Sequence, residues 1–348
     1  MATVARVSGQ EGPLTSPYDA DEDAIIREAE DFTIRITTIS HRTYDDYTDF
    51  YKANEHNNDY FALMSRVGIG NADKPATKLH FLRHNNQLGN GPIRDMWADQ
   101  VCVVEDFREA GEANRIFLAF HCFCQTLGGT SESGLRNVLS TVATAVGSMF
   151  PGLAPFVMGA SVASEGIKYL FEKIDEIPQE VKVVEFSLFP RLTEDNFSGD
   201  APLQTGSYIL FFEEVETEGL HLKEDGTISG AVPQDIKPYL VVNVQKGIML
   251  SPGQLDADAA NEVLSSYHAS PEFLFHGDQQ PSNQYLEALQ VLGRSHRMGK
   301  NMKRYFELKK KQQNDQLTPA ESSKINDLAR KIHEAMPDLA FAFEELDA

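Results

Sequence analysis

The amino-acid sequence predicts an α+β protein: an antiparallel β-sandwich with an inserted α-helical hairpin and a helical C-terminal region. Three observations carry that expectation. Short segments of alternating apolar and polar residues, rich in β-branched and aromatic side chains, recur from Phe32 to Val244 between turn signals. One stretch, Asn137 to Ser164, has no Asp, Glu, Lys or Arg in a chain of formal net charge -21. From Pro252 onward the apolar spacing becomes helical. The chain therefore divides into a flexible acidic arm over 1–31, a sandwich over 32–250 with the hairpin at 135–174, and a helical region over 251–348.

The arm is assigned from its composition: Gly, Pro, Ser and Thr, then the run Asp19, Asp21, Glu22, Asp23. Phe32 to Ile39 alternates in β-branched chemistry and predicts a strand. Further strands are expected at Tyr60 to Val67, Lys78 to Arg83, Asp99 to Phe107 and Arg115 to Cys124. After the hairpin the strands resume at Val181 to Phe189, Gly206 to Val215 and Tyr239 to Val244. Leu220 to Ile228 contains Glu224-Asp225-Gly226, a β-turn signal. Helices are expected at Asp256 to Tyr267, Ser282 to Leu292, Met302 to Gln312 and Pro319 to Ala335. Thr318 with Glu321 three residues on makes a capping-box pattern for the last of these.

The uncharged stretch lies within a longer amphipathic unit. Leu135, Val138, Leu139, Val142, Val146, Met149 and Phe150 recur at helical spacing, and Pro151-Gly152 then interrupts. Phe156, Ile167, Leu170 and Phe171 continue the pattern in a second arm. The simpler reading is a hairpin packed on the sheet through its small residues. The functional reading is a hairpin that leaves its packing site and enters a membrane. A constitutive span needs roughly 20 mostly apolar residues. Neither arm is that long, so insertion would be conditional.

Bulk composition narrows the function classes. With 348 residues, 41% hydrophobic and 24% charged, the chain is an ordinary globular protein of one large or two smaller domains. A pI near 4.8 argues against a nucleic-acid partner, because phosphates attract basic surfaces. Three cysteines form no disulfide framework and suit a reducing compartment. The first 30 residues lack an apolar core behind a basic start, so no signal peptide is expected. Cytoplasmic synthesis follows, with signal-free export open.

Strand FTIRITTIS, an Asp-bearing loop, NNDYFALMSRV, and GPIRDMWADQVCVVEDF with Trp97 together resemble a C2 domain over Phe32 to Cys124. The resemblance implies an eight-stranded sandwich that binds calcium and acidic lipid through Asp-rich loops. It would place calcium ligands at Asp45, Asp46, Asp49 and Asp59. Calcium needs six to eight oxygens from converging loops. The loop expected to complete the site, QTLGGTSESG, offers only Glu132. A solvated acidic loop is therefore favoured, calcium is disfavoured, and no other cofactor is expected.

His121-Cys122-Phe123-Cys124 is the best candidate for metal or thiol chemistry. Cys122 and Cys124 share one strand face and His121 takes the other. No further ligands at metal spacing accompany them. Buried structural cysteines are the preferred reading. No nucleotide-binding, hydrolase or metalloprotease motif occurs, and an enzyme is not expected. The segment with Arg294, Arg297, Lys300, Lys303, Arg304, Lys309, Lys310 and Lys311 concentrates positive charge in an acidic protein. Its candidate partners are anionic lipid, nucleic acid or the protein's own acidic body, the last being simplest. Two functions stay open. One is a non-enzymatic membrane-active or membrane-docking protein, such as a toxin or effector. The other is a soluble interaction or scaffold protein that self-associates or binds a protein partner.

Overall fold

The computed structural model describes residues 3–40, 60–69, 76–84, 92–94, 96, 99–107, 116–125, 182–189, 201–230, 237–248, 259 and 283–335. The described chain is α+β, with antiparallel sheets followed by two C-terminal helices. One five-stranded sheet runs β1 (Thr3–Val7), β10 (Gly206–Phe211), β13 (Tyr239–Lys246), β3 (Phe32–Ser40) and β6 (Gln100–Val104), all antiparallel. A second runs β5 (Ala76–His84), β4 (Tyr60–Ile69), β7 (Ile116–Gln125), β8 (Lys182–Phe189) and β9 (Ala201–Pro202), and only the β8–β9 pair is parallel. A small sheet joins β12 (Ile228–Ser229), β11 (His221–Leu222) and β2 (Gly12–Pro13).

The two larger sheets share one core. Ile34, Ile36, Leu210 and Val242 of the first join Leu63, Leu118, Phe120 and Leu188 of the second. The opposite face of the first sheet is also buried. Ala5, Ile209, Phe211 and Val241 pack there against Leu14 and against Leu222 and Ile228 of the small sheet. Burial on both faces explains why Tyr208-Ile209-Leu210-Phe211 and Leu240-Val241-Val242 are continuous apolar runs. In β3 the apolar residues Ile36 and Ile39 are three apart, which breaks a period of two. A β-bulge absorbs the extra residue: Ile36 pairs with Val242 and Thr38 with Val241, so Thr37 has no rung. Ile39 thereby returns to the core face.

The expected flexible arm over 1–31 is corrected. Thr3–Val7 is an edge strand paired with β10, and Ile26 is fully buried in the main core. Buried Arg6 donates from Nη2 to Thr205 O at 2.7 Å. Buried Gln204 accepts Asp21 N–H at 3.0 Å and donates to Asp19 O at 2.9 Å. The acidic run forms the rim of a segment whose backbone is tied down on both sides. A composition reading weighs side chains and misses that backbone pairing.

The helical region differs from expectation in one respect. The two helices expected at 282–292 and 302–312 are one helix, α1 (Asn283–Gln313). Gly293 and Gly299 sit inside it; each costs about 1 kcal/mol relative to alanine and does not by itself stop a helix. Packing against α2 (Pro319–Ala335) through Met298, Tyr305, Leu308, Ile325, Leu328 and Ile332 offsets that cost. The capping box at α2 is formed: Glu321 N–H donates to Thr318 Oγ1 and Thr318 N–H to Glu321 Oε2, both at 3.2 Å. The helix expected over 256–267 lies outside the described residues except Ala259.

Candidate functional site

The densest arrangement of charge among the described residues lies where α1 and α2 meet the ends of β3 and β6. Residues 29–31 and 105–107 are laced together. Ala29 N–H donates to Phe107 O at 2.7 Å, Phe107 N–H to Glu30 O at 3.1 Å, and Asp106 N–H to Asp31 Oδ1 at 2.7 Å. Gly247 N–H adds a 2.6 Å bond to Asp31 O. Ala29, Asp106 and Gly247 all have positive φ, so the chain turns sharply at each of the three crossings. The strand expected over 99–107 ends at Val104, just before this turn. These turns bring Glu30, Asp31, Glu105 and Asp106 to one edge.

The helices bring cations to that edge. Arg304 Nε is 2.7 Å from Asp106 Oδ2, and its other nitrogens are 3.6 Å from Glu321 and 3.8 Å from Glu307. Arg297 meets Glu105 at 3.4 Å. Lys324 and Lys331 both meet Asp31, at 2.5 and 3.4 Å. Lys311 meets Glu321 at 2.5 Å. Arg304, Lys324 and Glu321 are buried, and a buried charge without its partner is costly.

The acid–base consequences follow from this packing. Burial works to raise the Glu321 carboxyl, but the Lys311 hydrogen bond, the Thr318 N–H and the charges of Lys311 and Arg304 hold it below 4.5. Burial likewise opposes Asp327, and Lys331, Arg330 and Lys324 outweigh it, holding that carboxyl below 3.8. Burial works to lower Lys331, and Asp31, Asp327 and Glu105 raise it above 10.5. The cluster is thus an ion-paired dock.

The expected basic segment divides into two sets. Arg297, Arg304 and Lys311 turn inward to carboxylates of the dock and of α2. Lys300, Lys303 and Lys310 are exposed, and Lys309 lies 5.7 Å over the Tyr305 ring. The candidate calcium residues Asp45, Asp46, Asp49 and Asp59 lie outside the described residues. So do the hairpin positions Leu135, Val138, Leu139, Val142, Val146, Met149, Phe150, Phe156, Ile167, Leu170 and Phe171. Among the described residues, no three His, Cys, Asp or Glu side chains gather as a metal site. Among them, no helix is long and apolar enough to cross a membrane.

In β7, Cys122 is fully buried in the shared core, and burial pushes its thiol well up. An unionised thiol is a poor nucleophile. His121, on the other face, is held below 6.5 by burial and by the Arg66 charge. The side chain of Cys124 lies outside the described residues. One polar pair was not visible in the sequence: His80 Nε2 and Ser65 Oγ are 2.6 Å apart across β5 and β4. Both are fully buried, so the pair braces two strands and reaches no substrate. Only the register of β4 against β5, with its irregularity between Leu63 and Met64, makes them neighbours.

Comparison of the chain with protein-family models, with curated proteins and with solved structures returns no match.

Proposed function

We propose that this chain is a non-enzymatic membrane-docking protein whose 135–174 segment, uncharged from Asn137 to Ser164, is the inserting element. The two five-stranded sheets are read as the layers of a sandwich that carries it. One observation supports the reading most. The segment belongs to residues 126–181, which join β7 to β8, and those strands pair directly from Ile116↔Leu188 to Cys122↔Lys182. The chain leaves and re-enters the sheet at neighbouring rungs, so the ladder closes whatever the segment does. An acidic body and a Gly- and Ala-rich stretch, uncharged from Asn137 to Ser164, then divide the work between solubility and insertion.

The test is dye leakage from anionic liposomes, with co-sedimentation, at neutral and mildly acidic pH. Wild type leaks dye, and Val142→Asp with Val146→Asp abolishes leakage while circular dichroism is unchanged. No leakage and no co-sedimentation of wild type would sink the proposal.

The second reading is a soluble scaffold that self-associates through the same segment, whose small residues suit close packing between copies. Light scattering separates the two: a mass that rises with concentration, without lipid binding, favours the scaffold.

A further inference from the structure

We infer that the outward stripe of α1 is the surface that first contacts an anionic lipid bilayer; this rests on the membrane-docking reading and names its contact face. Leu292, Gly299, Lys303, Phe306 and Lys310 recur at steps of seven, four, three and four residues. Such steps keep them on one side of a helix. All five are exposed, Leu292 at 37% and Phe306 at 44%, and Val291 beside them at 61%. The carboxylate that flanks Lys303 and Lys310, Glu307, lies 3.8 Å from Arg304.

The division of the basic segment is what makes the stripe specific. Arg297, Arg304 and Lys311 are committed inward to Glu105, Asp106 and Glu321. Lys303 and Lys310 remain on the outside, interleaved with large apolar side chains. Lysine stems lie along an apolar surface while their ammonium groups reach anionic headgroups, and an aromatic ring between them enters the interfacial layer. The formal net charge of -21 does not forbid this contact. Screening limits electrostatic reach to about 8 Å at physiological ionic strength, so the groups nearest the bilayer dominate. The acidic remainder then orients the molecule with this face toward the lipid.

The experiment uses the full chain and co-sedimentation with two kinds of vesicle, phosphatidylserine mixed into phosphatidylcholine and phosphatidylcholine alone. Wild type is expected on the anionic vesicles only, and raised salt releases it. Neutralising one juxtamembrane lysine costs about fivefold in partitioning, so Lys303→Gln with Lys310→Gln loses about 25-fold. Phe306→Ser is expected to lose about tenfold. All three positions are exposed, and circular dichroism checks that both variants keep the wild-type fold. If wild type leaks dye and both variants bind as wild type does, the stripe is not the contact face and the proposed function stands. If the stripe variants lose binding while Val142→Asp with Val146→Asp still leaks, the stripe is upheld and the inserting segment is wrong. Equal binding to both vesicle types, or no binding, overturns the stripe.

Discussion

Replacing Arg304 by methionine tests whether charge pairing holds α1 and α2 on the sheet edge. The substitution roughly keeps side-chain length and removes the guanidinium. Asp106, 9% exposed, then loses a partner at 2.7 Å, and Glu321, 1% exposed, loses one at 3.6 Å. Breaking a buried pair by removing one member costs about 3–5 kcal/mol. Glu321 keeps Lys311 at 2.5 Å and the Thr318 N–H at 3.2 Å, so the lower end applies, about 3 kcal/mol. Local undocking of α1 and α2 would then become roughly two orders of magnitude more frequent. Hydrogen exchange of the α1 and α2 amides reads this directly. Arg304→Met combined with Asp106→Leu should recover at least half the loss, because the buried carboxylate that lost a cation is gone. Arg330→Met, which removes exposed pairs to Asp327 and Glu334, should leave exchange unchanged. If Arg304→Met exchanges within twofold of wild type, the ion pairs do not hold the dock and the reasoning fails.

The dock's pH window follows from its shifted groups. Glu321 and Asp327, held below 4.5 and 3.8, contribute stability above those values and lose it as pH falls through their folded values. Lys331, held above 10.5, contributes below that value and loses it as pH rises through its folded value. The α1 and α2 amides should therefore show a flat exchange-corrected stability from about pH 5 to 10, falling outside it. Gly226→Ala puts a β-carbon against Thr38 Oγ1 at a φ of 81°, whereas Gly219→Ala at φ 75° meets nothing within 4 Å. Thermal unfolding should show a loss of about 1 kcal/mol at Gly219 and about 2–4 kcal/mol at Gly226. Cys122 should resist a thiol reagent at pH 8 in the folded protein and react on denaturation, since its thiol is fully buried. Leu328→Ala, in the α1–α2 core at 1% exposure, should cost about 2–5 kcal/mol of stability by chemical denaturation.

Strand positions were readable where alternation and turn residues agreed. Phe32 to Ile39, Val181 to Phe189 and Tyr239 to Val244 lie within β3, within one residue of β8, and within β13. The α2 boundaries were readable because Thr318, Pro319 and Glu321 carry the start signal in adjacent positions. The first 31 residues were not, because Asp19 to Asp23 dominate the composition while Ala5, Val7 and Ile26 bury themselves singly. The continuity of α1 was hidden by Gly293 and Gly299, whose local cost is overridden by tertiary packing. That the basic segment would meet the protein's own acidic body was legible from charge alone. Which carboxylates receive Arg297 and Arg304 was not, because Glu105 and Asp106 reach that edge through a left-handed turn at Asp106. Ser65 and His80 likewise became neighbours only through strand register.

The adjacency of β7 and β8 also has a mechanical side. A pull on residues 126–181 enters the sheet through two strands at the same end, beginning at Cys122↔Lys182. Force applied there opens the ladder like a zipper, one rung at a time toward Ile116↔Leu188, and never shears all rungs together. Each broken rung lengthens the free chain by one residue on either side, up to about 3.3–3.6 Å per strand residue. The join of β7 to β8 is therefore the place where tension on residues 126–181 would first open this sheet.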